Sequence, residues 1–172
     1  MAETVKTVAG EKQFLLYRIL GDNTEATKIA QQTNHDVSSS RDANANATKD
    51  GTKRSLGVVE QEVEAEVYLT TADDVNKLKE AHEQGKVVEL WDITALKKNE
   101  EGKYAATYYQ GYITEISASA PTDDNVSVSI SFAVEGIGKR GYTALSEAQE
   151  AVLDYAFVEA NKPASSTPVE SH

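Results

Sequence analysis

The chain has 172 residues, 40% of them hydrophobic, which suits one domain with one core and is too apolar for a wholly disordered polymer. With 17 basic against 28 acidic residues the formal net charge is −11, which opposes broad binding to nucleic-acid phosphates or anionic membranes. Cysteine is absent, which excludes disulfides, a thiol nucleophile and thiolate metal sites.

The first residues, Met1-Ala2-Glu3-Thr4-Val5-Lys6, carry no signal-like apolar stretch, and no apolar run approaches the roughly 20 residues that cross a bilayer. Synthesis in a cytoplasm, with release by lysis, is the expectation. Residues 13–20 are apolar and aromatic and predict a first strand, ended by Gly21, Asp22 and Asn23. Residues 28–33 read as its hairpin partner. Residues 34–57 hold only Val37 and Leu56 as large aliphatics, among Ser, Asn, Asp, Ala, Thr and Lys. Structureless loops beyond roughly 12–15 residues are uncommon in compact domains. Two readings stand: a floppy surface loop, or an arm ordered by a neighbouring subunit.

Residues 58–69 alternate. Val59, Val63, Ala65, Val67 and Leu69 fall on one face and Glu60, Glu62, Glu64 and Glu66 on the other, with Gln61 the one polar interruption of the dry row. A helix is expected next. Thr71 and Asp74 stand at capping-box spacing, Val75, Leu78 and Ala81 or His82 form a narrow stripe, and Gly85 stops it. So narrow a stripe suits a helix lying on a sheet. Residues 87–93, with Trp91, predict a strand, and 97–103 a charged turn at Gly102. Residues 104–117 predict another strand, with a bend or bulge near Gly111.

After a turn at 121–125, Val126, Val128, Ile130, Phe132 and Val134 alternate with Ser127, Ser129, Ser131 and Ala133, the clearest strand in the chain. Ser146 and Gln149 form a capping box for a last helix carrying Val152, Leu153, Ala156 and Phe157. Prolines and serines make 159–172 a flexible tail behind a domain at 1–158. The fold class is therefore mainly β (α+β): an antiparallel, sandwich-like set of half-polar strands with a flanking central helix and a C-terminal helix.

Few motifs carry chemistry. Gly136-Ile137-Gly138-Lys139-Arg140-Gly141 matches GxGxxG, but a dinucleotide site needs it directly between a buried parallel strand and a helix. Here the preceding strand alternates with serine, so a glycine-rich turn is the better reading. His35, His82 and His172 make no metal-binding spacing, and no nucleophile, base and orienter are set together. No catalytic residue, cofactor or metal is expected. The row Glu60, Glu62, Glu64, Glu66 reads as a solvent-facing strand face or as a wet surface past which something anionic must slide. A flat row of charges does not build the pocket that catalysis requires. Tyr104, Tyr108 and Tyr112 share a face without interleaved basic residues, which favours packing over nucleic-acid stacking.

Several segments, in order, resemble one family. They are Phe14-Leu15-Leu16-Tyr17-Arg18, then Ser40-Arg41-Asp42 with Thr48-Lys49-Asp50-Gly51, and Val88-Glu89-Leu90-Trp91-Asp92-Ile93. Next come Lys103-Tyr104 with Tyr109-Gln110-Gly111-Tyr112-Ile113, then Gly138-Lys139 with Gly141-Tyr142 ahead of Leu145. Together they resemble the major tail proteins of siphophages that infect Gram-positive bacteria, the lactococcal type in particular.

The resemblance implies a virion protein that assembles with itself into hexameric rings stacked as a tail tube. The tube would hold the tape-measure protein and then pass DNA without specific binding. Contacts with tail terminator and distal tail proteins, and none with a membrane, are implied too. The long loop would reach the adjacent ring through Ser40, Arg41, Asp42, Thr48, Lys49, Asp50 and Gly51, and the four glutamates are candidates for lining the bore. Another tail ring component, a terminator or connector, and a soluble β-sandwich binding module are the alternatives.

Overall fold

The computed structural model describes residues 7–10, 13–29, 32–69, 74–146 and 149. The strands are β1 (Gln13–Ile19), β2 (Thr27–Lys28), β3 (Gln32–Thr48), β4 (Gly51–Tyr68), β5 (Val87–Lys98), β6 (Tyr104–Ser119), β7 (Ser127–Val134) and β8 (Lys139–Thr143). One helix, α1 (Asp74–Gln84), separates β4 from β5. The strands form one sheet in the order β2-β1-β5-β6-β7-β4-β3, with β8 added to β6, and each pairing is antiparallel.

The alternation expected in β4 and β7 is what buries them. Val63, Ala65 and Val67 of β4 meet Val128, Ile130 and Phe132 of β7 in the main core, joined by Leu15 and Tyr17 of β1, Val88 and Leu90 of β5, and Tyr109 and Ile113 of β6. Val59 and Leu69 do not extend that dry row: Val59 is half-buried and Leu69 exposed, because pairing of β4 with β7 runs only from Glu62 to Tyr68.

Helix α1 closes the core with Val75, Leu78 and Ala81. Full burial of a valine or leucine side chain contributes roughly 1.5–3 kcal/mol. The helix ends in a Schellman arrangement: Lys86 N–H donates to the Ala81 carbonyl (2.9 Å), Gly85 N–H to that of His82 (3.3 Å), and Gly85 takes φ +65°. His82 sits on the exposed side, its Nδ1 2.8 Å from the Ile113 carbonyl oxygen. The Thr71 cap lies outside the described residues.

A second apolar cluster occupies the other face, where Phe14, Leu16, Ala26, Ile93 and Tyr104 are buried with Trp91 and Leu145 against them. The Ser146–Gln149 capping box is present: Ser146 N–H donates to Gln149 Oε1 (2.9 Å) and Gln149 N–H to Ser146 Oγ (3.3 Å). The rest of that helix and the tail at 159–172 lie outside the described residues.

Two expectations change. Residues 28–33 are not one strand: β2 pairs with β1 only at Thr27 and Lys28, then Ile29 turns into the core and β3 starts at Gln32 on the opposite border of the sheet. Residues 34–57 form the outer part of a β-hairpin with continuous pairing from Asn34↔Glu66 out to Thr48↔Gly51, interrupted by one bulge between Arg41 and Ala43. The bulge in β6 lies between Ile113 and Glu115, slightly beyond Gly111.

Candidate assembly surface

Backbone pairing fixes what shares the outward face of the sheet. Glu62, Glu64 and Glu66 stand opposite Ala133, Ser131 and Ser129 of β7, and opposite Ser38, Asp36 and Asn34 of β3; Glu60 stands opposite Ser40. All four glutamates are exposed, so the sequence-derived row is one face, turned away from the core. Glu115 of β6 extends it through Ser131, and a cleft of about 250 Å³ runs between Asp36, Glu64 and Glu115. Asp36 directly opposite Glu64 is a like-charge pair, a mildly destabilising arrangement in a sheet. Small serines between the carboxylates leave this wall polar and open to water.

Toward β5 and β1 the same face changes character. Arg18 Nε donates to Glu89 Oε2 (2.7 Å), Tyr108 Oη donates to Glu89 Oε1 (2.6 Å), and Gln110 Nε2 donates to Tyr108 Oη (2.7 Å). The Arg18 guanidinium lies 5.1 Å from the Trp91 ring centroid, and Trp91 lies 5.2 Å from Tyr108. Burial opposes the charge on Glu89, but the hydrogen bonds from Arg18 and Tyr108 outweigh it and hold the carboxyl below its ordinary range. This network is structural cement. The sequence alone could not reveal it, because only strand register brings Arg18 beside Glu89.

The hairpin stands clear of the body. β4 leaves β7 at Glu62, and residues 38–56 are all exposed. Leu56 is 62% and Val58 83% exposed, unusual for large aliphatics. Ser40 pairs with Glu60 and Arg41 with Val59; Arg41 Nε also donates to the Gly57 carbonyl (2.8 Å), and Asp42 sits at the bulge. At the tip, Thr48 Oγ1 donates to the Gly51 carbonyl (2.6 Å) around the Lys49-Asp50 turn. The ribbon thus gathers the sequence-derived loop residues along one projection, held by its own ladder. Isolated two-stranded ribbons are marginal in water.

Of the glycine-rich run, Gly136, Ile137 and Gly138 turn between β7 and β8, while Lys139, Arg140 and Gly141 belong to β8, a strand antiparallel to β6, so a strand and not a helix directly follows the turn. Gly138 is needed for closeness: a Cβ there would stand 2.2 Å from the Tyr109 ring. Among the described residues no cluster of His, Asp or Glu is placed to hold a metal ion, and no helix is long and apolar enough to cross a membrane.

The curled antiparallel sheet thus carries the main core on one face, an acidic row beside a second apolar cluster on the other, and a projecting ribbon. The chain belongs to the phage tail tube protein family, whose model matches residues 7–139. It is thus a structural component of a phage tail and of the virion. It is 32% identical over 113 residues to a tail tube protein of Bacillus phage SPP1, covering 65% of this chain but only 42% of that protein. Its fold is similar to the SPP1 tail tube structure, with a TM-score of 0.72, 23% identity and 86% of each chain covered. It is also similar to the tail of an empty gene transfer agent (GTA) particle refined with C6 symmetry, with a TM-score of 0.62, 17% identity, and 80% of this chain and all of that one covered. These relatives support a siphophage tail tube of the Gram-positive kind without singling out the lactococcal type.

Proposed function

We propose that six copies close into a ring, that rings stack into the tail tube, and that the tube is a passive conduit for the tape-measure protein and then for DNA. The role is structural, without catalysis. The observation that carries this reading is the hairpin: its ribbon projects beyond the body, exposes Leu56 and Val58, and over residues 38–56 buries nothing within its own chain. The sixfold GTA tail, with the same fold, supports the ring size.

The ribbon, through Ser40, Arg41, Asp42, Thr48, Lys49, Asp50 and Gly51, reaches the adjacent ring. Its four basic residues (Arg41, Lys49, Lys53, Arg54) against three acidic ones in residues 34–57 suit it to an acidic neighbour. The open borders of the sheet find partners on sister copies, which also removes exposed edges that invite aggregation. Glu60, Glu62, Glu64 and Glu66 line the bore, where each basic contact would otherwise hold phosphate through counterion release. Tail terminator and distal tail proteins cap the two ends of the tube.

Shortening the hairpin tests this. A chain in which residues 42–57 are replaced by a tight turn is expected to stay folded by circular dichroism and to form no tubes in electron micrographs. Tubes of normal length from the shortened chain would contradict the reading.

A further inference from the structure

Three polar side chains tie the root of the hairpin to three other parts of the fold. Gln32 reaches β1, its Oε1 accepting from Leu15 N–H (3.1 Å) and its Nε2 donating to the Leu15 carbonyl (2.9 Å). His35 Nε2 lies 3.2 Å from Asp92 Oδ1 of β5, and Gln13 Nε2 donates to both oxygens of the same carboxylate (3.1 and 2.9 Å). Gln61 Oε1 accepts from Gly138 N–H (2.7 Å) in the β7–β8 turn, while its Nε2 donates to Ser39 Oγ across the ribbon (3.4 Å).

His35 and Gln61 occupy the core side of the ribbon. His35 pairs with the buried Ala65, and Gln61 continues the row of Val63, Ala65 and Val67. Apolar side chains there would add burial, which has no direction. Hydrogen bonds weaken steeply when bent, so they fix an angle. Gln61 stands one residue beyond Glu62, where β4 leaves β7, while His35 opposite Ala65 and Gln32 opposite Val67 hold β3 along the stretch of β4 that β7 pairs.

We infer that Gln32, His35 and Gln61 are positioning residues that set the angle at which the hairpin leaves the body and so preorganise it for a neighbouring copy. This rests on the reading that the hairpin docks between copies. A binding element correctly oriented one tenth of the time needs about tenfold more partner, because apparent affinity scales with the competent fraction. Directional anchoring removes that loss without adding a contact at the interface.

The chain has no cysteine, so two introduced ones can be spin-labelled selectively. Val58→Cys, exposed on the ribbon just beyond Gln61, and Lys79→Cys, exposed on α1, report the hairpin angle in the unassembled subunit by pulsed dipolar spectroscopy. One narrow distance distribution is expected. Gln61→Met, which keeps volume but loses the acceptor for Gly138 N–H, broadens it and, in the chain without the introduced cysteines, raises the concentration needed for tubes about tenfold. Gln61→Glu keeps an acceptor oxygen and restores both. His35→Leu combined with Gln61→Met broadens the distribution further.

A distribution unchanged by Gln61→Met and by the double substitution overturns the inference. So does broadening that leaves the assembly concentration untouched. In that case the shortened hairpin separately decides whether the ribbon docks at all.

Discussion

Gly111 of β6 packs so closely on Ala133 of β7 that a Cβ on the glycine would stand 2.1 Å from the Ala133 carbonyl oxygen. That oxygen belongs to backbone, which cannot yield without disturbing the β6–β7 ladder. Overpacking of this kind costs typically about 1–3 kcal/mol. Gly111→Ala is expected to lower the thermal midpoint clearly. Gly138→Ala, which meets the Tyr109 ring instead, is expected to lower it less because a ring can tilt. Differential scanning calorimetry on both variants checks the order.

Glu89 makes the fold sensitive to acid. Its folded carboxyl titrates below the ordinary glutamate value of about 4.3, so the stabilisation is complete above that value and is lost as pH falls through the depressed one. Glu89→Gln is expected to cost about 1 kcal/mol at pH 7, allowing for the partly exposed Arg18 partner. The deficit should shrink toward pH 3. Urea unfolding at a series of pH values measures it. A constant deficit would mean that the charge on Glu89 contributes nothing.

The acidic face opposes its own fold slightly. Glu64→Gln relieves the pairing with Asp36 and is expected to stabilise the isolated subunit by up to about 0.5 kcal/mol. The combination Glu62→Lys with Glu64→Lys should still give tubes if that face lines the bore. Those tubes should hold duplex DNA in a salt-dependent way, the logarithm of affinity falling with the logarithm of salt by about 0.9 per phosphate contact. Filter binding of linear against covalently closed circular duplex distinguishes this from an outward-facing wall, because a bore admits only free ends while an outer wall holds both forms alike.

The sequence made β4, β7 and α1 legible because each has one dry side, so the periodicity of Val63, Ala65 and Val67 or of Val75, Leu78 and Ala81 records the core directly. The ribbon was not legible as strand for the complementary reason. Both of its faces meet water over residues 38–56, and its ladder is a backbone property that side-chain pattern does not report. The candidate wall of four glutamates could be read because it is the wet half of an alternating strand. Gln32 and His35 carried no signal, since their partners Leu15 and Asp92 lie far away in sequence. Gln61 did carry one: a polar residue interrupting an apolar row marks a contact that must be made in a particular direction.

On the proposed reading a single copy is incomplete: among the described residues the sheet has open borders, and the ribbon reaches past its own core. Helical reconstruction of tubes grown from the purified protein tests that most directly. The expected map shows six subunits per ring, Glu60 through Glu66 facing the bore, and the Lys49-Asp50 tip seated on the next ring. Protein that stays monomeric at high concentration, or tubes whose hairpins fold back on their own subunits, would contradict the account.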